Sequence, residues 1–157
     1  MKVTIVVIGK TNKGFINQGV EEYLKRLKRY IKVEMEVLPD VKNSKNLSIE
    51  QLVSKEQEIL LNYLQNQSEV ILLDEKGEEY TSLELSHLIE SKMVGGTKEL
   101  IFVIGGAYGV SEMVKKRAIT QLALSKLTFS HQMVRLIFVE QLYRAMTIIR
   151  GEPYHHQ

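Results

Sequence analysis

Apolar residues along the chain occur either in short strand-like runs or at helical spacing. The two kinds of segment alternate along the sequence. Lys32 to Leu38 alternates in polarity and is followed by Pro39. This pattern predicts an outer strand. Stretches of helical period separate such runs, which is typical of an α/β fold with a mainly parallel sheet flanked by helices. The other predicted strands are Val3 to Ile8, Val70 to Leu73 and Leu100 to Ile104. The predicted helices are Phe15 to Tyr30 and those opening at Ser48, Thr81 and Ser111, the middle two with capping boxes.

The last predicted helix, His131 to about Ile149, is apolar on most of its sides. A helix of this kind must bury two surfaces. One surface would pack on its own sheet, and a second subunit across a two-fold axis would cover the other. The alternative is that it is the central helix of a monomer. The stretch from Gln121 to Phe129 favours neither helix nor strand. No linker or repeat interrupts residues 1–157, so we expect a single domain.

Composition narrows the possible classes of protein. The chain has no cysteine, which excludes cysteine-based zinc sites, thiol nucleophiles and iron–sulfur ligation. Met1 to Ile8 is too short for a secretory signal or a membrane span, and we expect a cytoplasmic protein that binds no membrane. The net charge of +2 is small, but basic residues crowd one stretch. They form either a solvated helix face or part of a nucleic-acid surface: Lys25, Arg26, Lys28, Arg29 and Lys32.

Candidate chemistry follows two predicted apolar strands. In open α/β sheets ligands bind beyond the carboxyl ends of the strands, where Leu73-Asp74 and Gly105-Gly106 lie. The glycine segment lacks the dinucleotide fingerprint, and there is no P-loop or nucleophile elbow, so hydrolase and ATPase functions have no support. His131 and Arg135 share a helical face, where they would hold a phosphate or carboxylate or cap the helix. The terminal pair His155-His156 is a poor metal site, and we predict no metal.

Several segments late in the chain form a distinctive combination: Leu124 to Phe129, His131, Arg135, Glu140 to Ala145 and Gly151 to His155. Together they resemble the RlmH (YbeA) family of SPOUT-class methyltransferases. The resemblance extends to Ile104-Gly105-Gly106 with Gly109, to Leu73-Asp74 with Gly77, and to Val7-Ile8-Gly9-Lys10, and so covers essentially the full length. Similar sequences commonly have proline where this chain has Ser130, and a serine there can cap the last helix. Leucine is frequent where this chain has Val110.

This resemblance implies a fold whose carboxyl-terminal segment makes a trefoil knot. It implies transfer of methyl from S-adenosylmethionine to N3 of a pseudouridine of 23S ribosomal RNA, in the assembled 70S ribosome, by a homodimer. His131 and Arg135 would contact RNA, and Arg144, Tyr154 and His155 would serve RNA binding or catalysis. The cofactor pocket would comprise Leu73, Gly105, Leu124, Ser125, Lys126, Leu127, Thr128 and Phe129.

The mechanism that we expect is direct in-line attack by the pseudouridine N3, without metal or covalent intermediate. Positioning supplies most of the rate in such a transfer. Either His155, another nearby base or a deprotonated fraction of the substrate would account for the N3 proton. Alternatives are a methyltransferase of another RNA such as tRNA, a ribosome-associated factor without activity and, more remotely, a flavodoxin-like or dinucleotide-binding enzyme.

Overall fold

The computed structural model describes residues 1–12, 14–67 and 69–155, so His156 of the predicted poor metal pair lies outside the described residues. Five parallel strands form one sheet in the order β2-β1-β4-β3-β5, which confirms the predicted mainly parallel sheet. β2 lies at one edge, as predicted for an outer strand. The strands are β1 (Lys2–Ile8), β2 (Lys32–Leu38), β3 (Val70–Glu79), β4 (Glu99–Ile104) and β5 (Thr120–Ala123).

Helices cover both faces of this sheet. Three of them bury apolar residues in one core cluster with alternate residues of the strands, and the other two bury theirs in a second cluster on the opposite face. The first group is α1 (Phe15–Leu27), α3 (Ser82–Val94) and α5 (His131–Ile149). The second group is α2 (Ile49–Leu64) and the short α4 (Glu112–Lys115), and a 3₁₀ turn, Ser44–Asn46, precedes α2.

Side-chain caps fix where these helices begin. Ser48 and Thr81 form the two predicted capping boxes, each reciprocal with the residue three positions on. Ser130 Oγ accepts a hydrogen bond from the Met133 N–H at 3.2 Å, which confirms that the serine caps α5. The last turn of α1 tightens into bonds of three-residue spacing, Tyr30 N–H to Leu27 O among them, so the helix ends before Tyr30.

The edge of the sheet at β3 and β5 differs from the prediction. β3 continues to Glu79 through a polar segment because its backbone pairs with β5 again after a register shift between Leu73 and Glu78. Gly77 lies in that irregularity, and a Cβ there would stand 2.6 Å from the Gln121 carbonyl carbon. Only glycine allows so close an approach of the two strands. β5 begins at Thr120 and includes Gln121 to Ala123, the first residues of the stretch that favoured neither helix nor strand.

α5 lies between α1 and α3 and packs on the sheet. Its buried side includes Phe138, Val139 and Leu142, and the Phe138 ring lies 4.7 Å from the Phe102 ring of β4. The trefoil knot stays a prediction.

Candidate active site

A cavity of about 510 Å³ opens at the carboxyl ends of β3, β4 and β5. Its volume lies within the range of small-molecule sites, about 300–1,000 Å³. Leu73, the last residue of the apolar part of β3, and Ile104, the last residue of β4, form part of the wall, together with Leu122 of β5. Side chains and backbone from the segment between β5 and α5 close the cavity on the other side. The cavity therefore lies at the edge of the sheet where the sequence predicts a ligand.

The glycine segment after β4 makes a narrow turn at the cavity. Gly106 and Gly109 form an isolated antiparallel bridge, and Gly109 adopts φ 77°, a left-handed conformation that glycine tolerates. A Cβ on Gly105 would stand 2.6 Å from Val110 Cγ1. The absence of a side chain at Gly105 therefore keeps the turn closed and leaves backbone groups facing the cavity.

A partly buried ion pair adds polarity to the cavity wall. Asp74, directly after the apolar part of β3, lies 3.4 Å from Lys115 Nζ, and the two side chains are 10% and 17% exposed. Burial alone would lower the pKa of Lys115, but Asp74 and Glu112 outweigh it and raise that pKa, so the lysine stays charged. Lys115 was not predicted as a site residue. Two sequence signals accompany it: it begins the basic run Lys115 to Arg117, and the short helix carrying it follows the glycine turn.

Most of the residues predicted to bind a cofactor line this cavity. Leu73, Gly105, Leu124, Ser125, Leu127, Thr128 and Phe129 are all part of its lining. Ser125 Oγ accepts from the Leu127 N–H at 3.0 Å and Thr128 Oγ1 donates to Glu75 at 3.1 Å, so side chains order this segment. Lys126 is not in the lining. Its side chain is 90% exposed and points toward Glu79 at 3.7 Å, which is at odds with the predicted cofactor contact.

The predicted RNA-binding pair divides into one cavity residue and one core residue. His131 lines the cavity, and its burial, helped by the Arg135 charge, lowers its pKa. Arg135 is fully buried, donating to Ile8 O at 2.6 Å, Gly9 O at 2.9 Å and Thr11 Oγ1 at 3.1 Å. This placement offers RNA no surface of Arg135. The guanidinium instead binds the loop after β1 to α5.

The predicted catalytic residues Arg144, Tyr154 and His155 lie at the other end of α5. The last two belong to the short tail that follows this helix, residues 151–155. Gly151 adopts φ 66° and forms a Schellman motif: its N–H donates to Ile148 O, and the Glu152 N–H donates to Thr147 O. This motif turns the chain back toward α1. Tyr154 then packs edge-on against Tyr143, with ring centroids 4.8 Å apart.

Hydrogen bonds hold the Tyr154 hydroxyl in a charged cluster. It donates to Glu140 Oε1 at 3.1 Å and lies 3.2 Å from the Tyr23 hydroxyl. Arg144 binds the same Glu140 oxygen at 2.6 Å, and its guanidinium lies 4.8 Å from the Tyr154 ring centroid. Burial, with the hydrogen bond to Tyr23, raises the pKa of Tyr154, so its phenol stays neutral. His155 is half-buried, and its Nδ1 is a buried atom without a hydrogen-bond partner among the described residues.

Within one chain, the predicted cofactor residues at the cavity therefore lie far from the predicted catalytic residues Arg144, Tyr154 and His155. Arg144 lies thirteen positions after His131 of the cavity in α5, which corresponds to about 20 Å along a helix. The structure brings seven of the eight cofactor candidates together at the cavity, and it brings Arg144 and Tyr154 together at the other end of α5. It does not bring these two groups together.

The described part of the chain contains neither a candidate metal cluster nor a candidate membrane helix. Across residues 1–12, 14–67 and 69–155, no group of three or more histidine, aspartate and glutamate side chains is placed to hold a metal ion. None of the helices described there is long and apolar enough to cross a membrane.

Two solved structures share this fold at low sequence identity. A probable methylase family protein from Haemophilus influenzae Rd KW20 aligns with a TM-score of 0.56 and 12% identity, over 99% of this chain and 70% of that one. A probable methyltransferase from Bordetella pertussis Tohama I aligns with a TM-score of 0.53 and 13% identity, over 92% and 96%. This likeness shows a shared fold, a parallel sheet flanked by helices.

Sequence comparison gives the family itself. The model of the predicted SPOUT methyltransferase family matches residues 1–155. The chain is also 54% identical to a Parabacteroides distasonis protein and 52% identical to a Christiangramia forsetii protein, both over 100% of each chain. Both relatives are named Ribosomal RNA large subunit methyltransferase H. This chain therefore belongs to the RlmH family of SPOUT methyltransferases and is a methyltransferase, as the resemblance predicted.

Proposed function

We propose that the chain transfers methyl from S-adenosylmethionine to N3 of a pseudouridine in 23S ribosomal RNA of the assembled 70S ribosome. The observation that carries the proposal is the cavity at the carboxyl edge of the sheet, lined by seven of the eight predicted cofactor residues in a chain of this family. The ribosomal substrate rests on the name of relatives about half identical over the full length. We place the activity in the cytoplasm, where ribosomes are.

The residues present suit this cofactor. Leu73, Leu124 and Phe129 offer apolar contacts for an adenine ring and a methionine side chain, and the Gly105 turn offers backbone groups. Ser125 and Thr128 are already oriented by hydrogen bonds. When bound, the cofactor supplies an electrophilic methyl group on a sulfonium. The protein's contribution is to orient the reactants and exclude water.

The chemistry of the tail assigns different tasks to its residues. Tyr154 is a hydrogen-bond donor and not a base, because its pKa is raised and Glu140 holds its proton. Arg144 is a fixed cation that faces the Tyr154 ring and suits a phosphate. His155 is the candidate that accepts the N3 proton, since its imidazole is half-buried at the end of the tail, next to Tyr154. A deprotonated substrate fraction remains the alternative.

We propose a homodimer in which the tail of one chain completes the cavity of the other. The separation of about 20 Å between the two groups supports this arrangement, since they cannot meet within one chain. The outer side of α5 supports it as well. Met133, Ile137 and Ile148 recur there at helical spacing, are only partly buried, and are not among the described residues that pack on either core cluster. A second copy would cover them.

The test is incubation of the purified protein with labelled S-adenosylmethionine and 70S ribosomes that lack the modification, with mass spectrometry locating the methyl group. We expect methyl on N3 of a 23S pseudouridine and no transfer to tRNA. Replacing His155 with alanine should reduce the single-turnover rate and change its pH profile if His155 is the base. Transfer to tRNA alone, or no transfer despite cofactor binding, would contradict the proposed substrate.

A further inference from the structure

A groove beside the tail cluster lies outside the proposed active site. It has a volume of about 330 Å³ and runs between the end of α1 and the last turns of α5. Three cations and two tyrosines line it together with one carboxylate: Lys25, Arg26, Arg29, Tyr30, Tyr143 and Glu22.

The cations of this groove differ in how they are held. Arg26 Nε donates to Glu22 at 2.8 Å, and the guanidinium lies 5.5 Å from the Tyr23 ring centroid and 5.8 Å from that of Tyr143. Lys25 and Arg29, one helical turn apart, form no ion pair with any residue that the structure describes. Two cations without ion pairs, Lys25 and Arg29, thus lie near Arg26, whose guanidinium is held beside a tyrosine ring. The rings of Tyr30 and Tyr143 form the aromatic floor of the groove.

The aromatic floor connects the groove to the tail. The Tyr30 and Tyr143 centroids are 5.8 Å apart, and the Tyr143 and Tyr154 centroids are 4.8 Å apart. Tyr30 donates to Glu152 at 2.6 Å, which ties the start of the tail to the same floor. A ligand in the groove would therefore lie beside the residues proposed to act on the target nucleotide.

We propose that this groove binds the phosphodiester backbone of ribosomal RNA next to the target nucleotide, with Lys25 and Arg29 each contacting a phosphate. The inference rests on the proposed function, because it takes RNA as the substrate. Unpaired cations beside tyrosine rings are the combination that binds single-stranded RNA, through phosphates and base faces respectively. A solvated helix face would not need the aromatic floor or its link to the tail.

The test compares Lys25→Gln/Arg29→Gln with Lys45→Gln/Lys55→Gln, which removes two exposed charges from the 3₁₀ turn and α2. Binding to 70S ribosomes is measured without methyl donor at several salt concentrations, and KM and kcat are measured separately. For the groove variant we expect affinity to fall by roughly tenfold or more and the salt slope to fall by about 1.4–1.8. The KM for ribosomes should rise with kcat unchanged, and the control should match wild type.

Equal binding by the two double variants would overturn the inference. A second measurement, ultraviolet cross-linking followed by mass spectrometry, should join a nucleotide to a peptide that contains Tyr30 or Tyr143. Weakened binding without such a cross-link would assign the groove to a ribosomal protein and overturn it too. If wild type binds ribosomes through the groove but transfers no methyl, the proposed function fails and the inference stands.

Discussion

Replacing Arg135 with methionine tests the buried link between α5 and the loop after β1. The side chain is fully buried and makes three hydrogen bonds, two of them to the carbonyls of Ile8 and Gly9. Each buried acceptor left without a donor costs about 1–3 kcal/mol, so two cost about 2–6 kcal/mol. Methionine recovers part of this, because burial of the guanidinium is itself unfavourable and lowers the pKa of Arg135.

The net loss that we expect is about 3 kcal/mol of unfolding free energy, which in a chain of this length lowers Tm by roughly 6–12 °C. Urea unfolding followed by circular dichroism measures the free energy, and a thermal scan measures Tm. Arg150→Met is the matched control, since Arg150 is exposed at the end of the same helix, and it should change stability by less than about 0.5 kcal/mol. If Arg135→Met is as stable as Arg150→Met, Arg135 does not hold the loop.

Two further predictions concern the glycine turn and the carboxyl group beneath it. Burial, with the Asp40 charge, raises the pKa of Glu56, so the folded state keeps a proton that the unfolded state loses above its ordinary pKa, and stability falls as pH rises. Glu56→Gln should remove this loss and stabilise the protein at pH 7 to 8 but not near pH 4, whereas the exposed Glu58→Gln should do neither. Urea unfolding at several pH values measures the unfolding free energy as a function of pH. If Glu56→Gln leaves that pH dependence unchanged, the prediction is refuted. Gly105→Ala should weaken cofactor binding by roughly tenfold or more in calorimetry, because its Cβ would stand 2.6 Å from Val110 Cγ1. Adding Val110→Ala should restore part of the affinity, and no recovery would refute the steric explanation.

The sequence predicted the sheet and its helices because their signals are local. Periodicity and capping residues depend on neighbours within one or two turns, and Ser48, Thr81 and Ser130 all cap helices as expected. The polar end of β3 was not predictable in this way, since its pairing with β5 comes from residues about 45 positions away.

The candidate site was predictable in part for a similar reason. The strand ends and the glycine turn lie in the same cavity because parallel strands end at one edge. The burial of Arg135 depends on carbonyls more than 120 residues earlier in the chain, which no local pattern reveals. The wide separation of the tail from the cavity likewise follows from the length of α5.

The measurement that tests the central claim most directly is complementation between two inactive variants. Gly105→Val alters the cavity and His155→Ala alters the tail, so neither homodimer should methylate 70S ribosomes efficiently. If the tail of one chain completes the cavity of the other, half of the dimers in an equal, exchanged mixture contain one intact site. The mixture should then recover about a quarter of wild-type activity. Activity no greater than the sum of the separate variants would contradict a site shared between two chains.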